Sequence, residues 1–409
     1  MLSCYQYKNL EPIIDAEVDK IAEWIIQKRR EVHAHPELAH EEANTSKLVA
    51  EALREAGWEV HESLAGFGLL GTLKGELDSS EVPSTKCVAF RADMDALPIN
   101  ELTGAAYAST IPGKMHACGH DNHIAMALGI ARVMAKLRKK WSGTIKLVFE
   151  PAEETGEGAD MMIDAGVLDS PRVDVMITLA ISPGTEEGHF RLIEGTSMPR
   201  VDRFRIEVEG EASHGGEPHH GIDAVLLGCE LTVALQRVAS REIPASDPVI
   251  LNIIHIEGGQ LDGTIPSTAS LTGMLRSFSG ASRDKAFQSI DKIVQGIAAS
   301  YGGRASIFIE PESEYPMGYH DPAVTRLVAE AAIDVVGPDR VSIENRPDWG
   351  GDSFARYTQQ VPGTFVFFGV RNEAQGKIYP VHHPKFDVDD SVLPIAVKVG
   401  CRAALRALV

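Results

Sequence analysis

Cysteine is sparse in this 409-residue chain, and its five copies, Cys4, Cys87, Cys118, Cys229 and Cys401, are odd in number and widely scattered. That pattern argues against a secreted disulfide framework and predicts reduced thiols. Positive charge is also in deficit: 39 Lys and Arg face 58 Asp and Glu, a formal net charge of −19. Such a balance argues against nucleic acid or an anionic membrane as a partner. No apolar run approaches the roughly 20 residues that span a bilayer, and the N-terminus lacks the basic segment, apolar core and cleavage site of a secretory signal. Internal repeats and low-complexity tracts are absent as well. What remains is a cytoplasmic protein with a small-molecule partner, whose 44% apolar content suffices for more than one domain.

Helical and strand periods alternate along the chain. Ile14, Val18, Ile21 and Ile25 recur at three- and four-residue spacing and predict a helix over residues 13–32. A second helix follows, with Thr45 or Ser46 as its cap and Gly57 at its left-handed end. Short buried strands are expected at residues 87–91, 143–149 and 173–181, each running into a polar loop, with a helix over 124–139. This alternation implies a mostly parallel sheet flanked by helices, a fold in which chemistry sits in loops at strand ends. The texture then changes. Strands at 204–210, 249–256 and 269–276 with helices at 222–238 and 282–299 predict a smaller inserted α/β sandwich. The expected division is 1–195 and 305–409 for the larger domain and 196–304 for the insert.

Residues 115–123, Met-His-Ala-Cys-Gly-His-Asp-Asn-His, concentrate potential metal ligands. A thiolate and an imidazole two residues apart, Cys118 and His120, can grip one ion while the following helix fixes their direction. A polar helix start capped by Asp121 and Asn122 is the plainer alternative. Adjacent carboxylates at a strand end, Glu153 and Glu154, can divide two jobs, one binding an ion and the other moving protons. A solvated pair opening a helix is the alternative there. Asp93 and Asp95 end another strand, and Asp95 can orient the imidazole of a ligand histidine. His214, in a Gly- and His-rich stretch of the insert, can polarise a substrate oxygen, while His219 and His220 read as a surface cluster. Either His382 or His383, ahead of Pro384, can complete a metal site by folding back.

In this combination and order the residues resemble the aminoacylase and carboxypeptidase-type metallopeptidase family, in its amidohydrolase branch of hippurate and auxin-conjugate hydrolases. The resemblance runs through residues 30–37, 91–98, 115–123, 151–154, 212–215, 351–354 and 382–384, nearly the whole chain. It implies Glu153 as general base, Cys118, His120, Glu154 and His382 as ligands to Mn2+ or Zn2+, and His214 assisting the reacting oxygen, often across a dimer interface. It also implies an α/β metal-binding domain with an inserted lid or dimerisation domain, and a homodimer at least.

The departures bear on the substrate. Ala180 stands where the family usually carries a further metal-binding histidine, and a methyl group cannot bind an ion, so one ion per chain is expected. Gly263-Thr-Ile-Pro266 replaces the family's Asn-Val-Ile-Pro, Asn122 replaces a small residue, and Gly350-Gly-Asp-Ser-Phe354 replaces Gly-Ser-Glu-Asp-Phe. Two reactions fit this pattern: hydrolysis of an N-acyl amino acid or related amide, and hydrolytic deamination of an aminobenzoate such as 5-nitroanthranilate. A binding protein on a decayed hydrolase scaffold is the alternative from another class, opposed by the retention of Glu153.

Overall fold

The computed structural model describes residues 7–77, 84–310 and 315–409, so Cys4 lies outside the described residues. The chain forms two compact units, one of residues 1–197, 319–347 and 352–409, the other of residues 198–318 and 348–351. The expected return to the larger unit at 305 is corrected by the strand Arg304–Ile309. It pairs antiparallel with Arg200–Glu209 and so belongs to the insert's own sheet.

The larger unit is built on an eight-stranded sheet. At its centre Thr144–Glu150, Cys87–Asp93, Val175–Glu186 and Gly363–Arg371 lie side by side and parallel. Every residue of Cys87–Asp93 is buried, as a strand covered on both faces must be. The hairpin Glu59–Leu64 and Gly68–Lys74, which sequence periodicity does not disclose, adds antiparallel strands at one edge. Asp93 lies opposite Glu150 in register, so two carboxylates finish neighbouring strands at the same end of the sheet.

Helix Glu11–His33 starts with a proline in its first turn and buries Ile14, Val18, Ile25, Arg29, Val32 and His33. Its apolar stripe thus ends in two charged or titratable side chains beneath the functional loops. Helix Ala43–Glu55 buries Thr45 and Ser46 inside its body instead of using them as caps. The Glu37 carboxylate satisfies the amides of Asn44 and Thr45. Helix His120–Lys136 is buried along nearly its whole length, packed on Glu11–His33 and Leu393–Ala407.

The inserted unit has a four-stranded antiparallel sheet, in the order Val249–Gly258, Thr268–Ser277, Arg200–Glu209, Arg304–Ile309. Alternate residues Phe204, Ile206 and Val208 pack with Leu227, Leu231 and Ile290 of helices Ala224–Leu235 and Gly280–Tyr301 into a separate core.

Candidate metal centre

Three loops of the larger unit build the centre. The first carries Cys118 and His120 on either side of Gly119, whose φ of 91° opens the helix. A Cβ there would lie 2.5 Å from Ile181, so glycine is required both by conformation and by space. The second follows strand Thr144–Glu150 and turns at Ala152, with φ 54°, into Glu153 and Glu154. The third brings His382, also left-handed at φ 63°. Its backbone N–H donates to the Ala117 carbonyl at 2.8 Å.

Donor atoms of Cys118, His120 and Glu154 lie within 4.8 Å of one another. His382 Nε2 is 3.4 Å from Glu154 Oε1. His120 Nδ1 donates to the Asp95 carbonyl at 2.9 Å, which leaves the Nε2 lone pair for the cluster. Glu154 Oε1 is buried and makes no regular hydrogen bond. Burial drives the Cys118 thiol well above its ordinary value. An orphaned carboxylate oxygen, a free imidazole lone pair and a thiol short of compensation fit a divalent cation with sulfur, nitrogen and oxygen ligands.

A second group, Asp93, His120 and His123, is equally close-packed but differs chemically. His123 Nε2 accepts the Ile181 N–H at 2.9 Å. The ring proton therefore sits on Nδ1 and is donated to Asp93 Oδ1 at 2.6 Å. Asp93 Oδ2 is taken by Arg91. His123 has no lone pair to offer, so hydrogen bonds hold this group together, one of them from the N–H of Ile181, the residue after the buried Ala180.

Asp95 lies against the His120 imidazole and also holds the neighbouring turn. Its backbone carbonyl accepts from His120 Nδ1 at 2.9 Å and its Oδ1 lies 3.3 Å from the same nitrogen, while its carboxylate also accepts the Glu153 and Glu154 amides at 3.1 and 3.0 Å. Glu42 accepts the preceding Ala152 amide at 2.8 Å. Two carboxylates therefore grip three consecutive N–H groups and fix the turn that presents both glutamates.

Glu153 is buried, and its Oε1 accepts the Ser353 N–H at 3.1 Å. Its Oε2 lies 3.9 Å from His120 Nε2. Burial, then the neighbouring Asp352 and Glu154 charges, push its pKa well above the ordinary glutamate value against the pull of Arg91. Burial opposes ionisation of Glu154 as well, but the neighbouring His382 imidazole and the charge of His120 hold its pKa below the usual value. The two adjacent acids are thus driven apart, the arrangement that separates a proton carrier from a ligand.

His383 is distinguished from His382 by its contacts. Its Nδ1 accepts the Lys385 N–H and its ring stacks on Tyr379. His214 lies in the inserted unit, on the short strand Ser213–His214 paired with Thr264–Ile265. It is exposed, and its Nδ1 accepts the Gly216 N–H at 3.0 Å, so the neutral ring carries its proton on Nε2. His219 and His220 are exposed.

Residues 89–406 match the sequence profile of peptidase family M20/M25/M40. The chain belongs to this family. It is a metal-dependent hydrolase that acts on C–N bonds of the amide type. It is 40% identical over 392 residues to thermostable carboxypeptidase 1 of Saccharolobus solfataricus, covering 95% of this chain and 97% of that protein. It is 35% identical over 373 residues to N-acetyl-L-cysteine deacetylase of Bacillus subtilis, covering 90% and 84%. The crystal structure of a dinuclear metal-binding M20 peptidase from Bacillus subtilis superposes with a TM-score of 0.77 at 29% identity, covering 95% of this chain and 98% of that one. This M20-family chain thus carries the mostly parallel sheet and inserted unit expected of it.

Arg91, Glu150, Ser353 and Glu42 escaped the reading of the sequence as functional residues. Arg91 closes a strand that reads as an apolar run, Glu150 follows the run 143–149 as one of the carboxylates at its end, and Ser353 lies within a loop noted only for its departures. Glu42 lies beyond the matched segment 30–37. A buried strand carrying one Arg or Glu was the available signal, because a charge there demands a partner.

Proposed function

We propose that the protein hydrolyses the amide bond of an N-acyl amino acid or related conjugate. Cys118, His120, Glu154 and His382 hold one divalent ion, Mn2+ or Zn2+, and Glu153 carries the proton. When bound, a divalent ion supplies Lewis acidity at the scissile carbonyl and makes water a better acid. The observation that carries this reading is the placement of Glu153, anchored through Oε1 with Oε2 beside the ligand cluster. A Glu153 carboxylate oxygen takes a proton from the attacking water and returns it to the leaving nitrogen, a role that a pKa raised above the ordinary glutamate value favours. His214, with its Nε2–H free to donate, stabilises the developing oxyanion. The carboxypeptidase and deacetylase relatives favour an acyl amide over an aromatic amine as substrate, and retention of Glu153 beside a complete ligand set opposes a decayed binding protein.

A homodimer and a cytoplasmic setting complete the proposal. In the inserted unit, the edge strand Val249–Gly258 exposes Ile254 at 52% and Ile256 at 42%, and helix Ala224–Leu235 exposes Leu226 at 54% and Val233 at 75%. An open apolar edge of this kind is suited to pairing with a second copy. A reducing compartment keeps Cys118 available as a ligand.

Incubating metal-loaded protein with a panel of N-acyl amino acids and a panel of aminobenzoates, and following free amine, carboxylic acid and ammonia, tests the reaction. Release of amino acid and acyl acid is expected. Ammonia with a hydroxylated ring overturns the amide reading in favour of deamination. Plasma metal analysis should count one ion per chain, and a count of two overturns the mononuclear centre.

A further inference from the structure

Near its C-terminal end, helix Glu11–His33 buries Arg29 completely. The guanidinium lies between two stretches of chain that carry ligands of the cluster. On one side its Nε is 2.7 Å from Oδ2 of Asp121, the residue after His120. On the other its Nη2 is 3.5 Å from Asp387 Oδ1 and its Nη1 is 3.6 Å from Asp390 Oδ2, both in the segment that follows His382. Asp121, Asp387 and Asp390 are all buried, so their attraction to the guanidinium is little screened by solvent or salt.

Each end of this bridge is tied further. His33 Nδ1 is 2.8 Å from Asp121 Oδ2, and Asn122 Nδ2 donates to its Oδ1 at 3.0 Å. The Tyr107 hydroxyl reaches the two Asp387 oxygens at 3.0 and 3.1 Å, and its ring lies under the guanidinium, with the Arg29 carbon 4.7 Å from the centroid. Lys377 pairs with Asp387, and Arg30 donates to the two Asp390 oxygens at 2.7 and 3.0 Å. Lys377 and Arg30 therefore serve carboxylates of one segment, whereas Arg29 serves both segments. The same two segments are joined by the backbone hydrogen bond from His382 to Ala117.

With Arg29 removed, Asp121 would face Asp387 and Asp390 as buried like charges short of a cation. Their repulsion pushes apart the stretches that bring His120 and His382 to one ion. A ligand set that must be drawn together on binding holds its ion more weakly than one already assembled.

We propose that Arg29 is a positioning residue of the metal centre: by bridging Asp121 to Asp387 and Asp390, it holds the Cys118–His120 arm and the His382 arm of the ligand set together before an ion binds. This rests on the reading of Cys118, His120, Glu154 and His382 as ligands. Arg29 is not itself a ligand and acts through the two segments.

The test uses the full chain with zinc alone. Zinc affinity is read by competition with a chromogenic chelator, beside the urea midpoint of the metal-free protein. Arg29→Lys keeps the charge but loses the fork, and one ammonium cannot serve three carboxylates. Zinc binding should weaken about 10-fold, the lower end of the range for residues that support a ligand from behind. Asp387→Asn keeps the shape and removes one charge from the His382 side, and a loss of similar size is expected. In a His382→Gly background, Asp387→Asn should add no more than about twofold, because its route to the ion runs through His382. Should Arg29→Lys not fold, Asp387→Asn in the two backgrounds decides.

Wild-type zinc affinity in either folded variant overturns the proposal, as does an equal effect of Asp387→Asn with and without His382. A lowered urea midpoint at wild-type zinc affinity is the mark of a merely structural role and overturns it too. If Cys118→Ser and His382→Gly bind zinc as wild type does, the reading of the ligand cluster fails, and the positioning proposal falls with it. If those two bind weakly while the Arg29 and Asp387 variants match wild type, the positioning proposal fails alone.

Discussion

The backbone N–H of His382 donates to the carbonyl oxygen of Ala117 at 2.8 Å. One hydrogen bond thereby joins the residue before Cys118 to a histidine far along the chain, and the side chains on either side of it converge on Glu154. His382 reaches this point through a left-handed backbone, an unusual conformation for a non-glycine residue. Such a conformation persists where the surrounding structure holds it, and sites of function are where it is commonly found.

The ligand set predicts the effect of removing that histidine. His382→Gly relieves the left-handed backbone and keeps the amide, so only the imidazole is lost. Ion affinity should fall by at least about 100-fold, the upper range seen when merely an outer partner of a ligand is removed. Competition with a chromogenic chelator measures it, and an unchanged affinity would remove His382 from the shell.

Asp95 carries a stability prediction. Asp95→Ala leaves the Glu153 and Glu154 amides unpaired inside the protein, at a cost of about 2–4 kcal/mol. Asp95→Asn retains an acceptor oxygen and should cost less than half of that. Urea unfolding of the metal-free protein compares the two, and equal losses would show that the carboxylate does something other than hold the turn.

Arg91 balances several buried carboxylates, so its removal strands negative charge in the interior. Arg91→Met should destabilise the fold by about 3–5 kcal/mol. Arg91→Lys should recover little, because a single ammonium cannot replace a fork that serves Asp93, Glu150 and Ser353 together. The denaturation midpoint of each variant is the readout. A Lys variant as stable as wild type would show that charge alone matters.

Acid sensitivity has an identifiable contributor away from the metal centre. His320 is buried, its Nδ1–H donates to the Ile193 carbonyl at 3.0 Å, and burial lowers its pKa from 6.5 to about 4. Because the folded pKa lies below the unfolded one, the unfolded chain binds a proton that the folded chain refuses between those values. Stability is therefore lost as pH falls through that window, by about 3 kcal/mol in all. His320→Asn keeps a donor for Ile193 and does not titrate, so its stability should fall less between pH 6.5 and 4 than that of wild type. Parallel pH dependences for the two proteins would rule out this contribution.

Legibility in the sequence followed residue type. Cys118, His120, Glu153 and Glu154 stand out because thiol, imidazole and paired carboxylates at strand ends have few bland uses, and their assembly needs only short loops. The linkage of Arg91, Glu150 and Ser353 was invisible because it depends on tertiary pairing: strand register sets Asp93 opposite Glu150, and a loop more than 200 residues away supplies the serine. The second role of Asp95, holding the turn at Glu153 and Glu154, was hidden for a related reason, since backbone amides have no signature in a sequence. The end of the insert was placed too early because Arg304–Ile309 carries no mark of which sheet it joins; its register with Arg200–Glu209 decides that. The hairpin at 59–74 was missed because its first strand is largely exposed and lacks an apolar alternation.

The central claim is that one ion-binding cluster and the carboxylate of Glu153 together hydrolyse an acyl amide. The most direct measurement is kcat on an N-acyl amino acid for wild type and Glu153→Gln at equal, full metal occupancy. A loss of about 100-fold or more with the ion retained is predicted. Glu153→Gln turning over substrate at the wild-type rate would contradict the account.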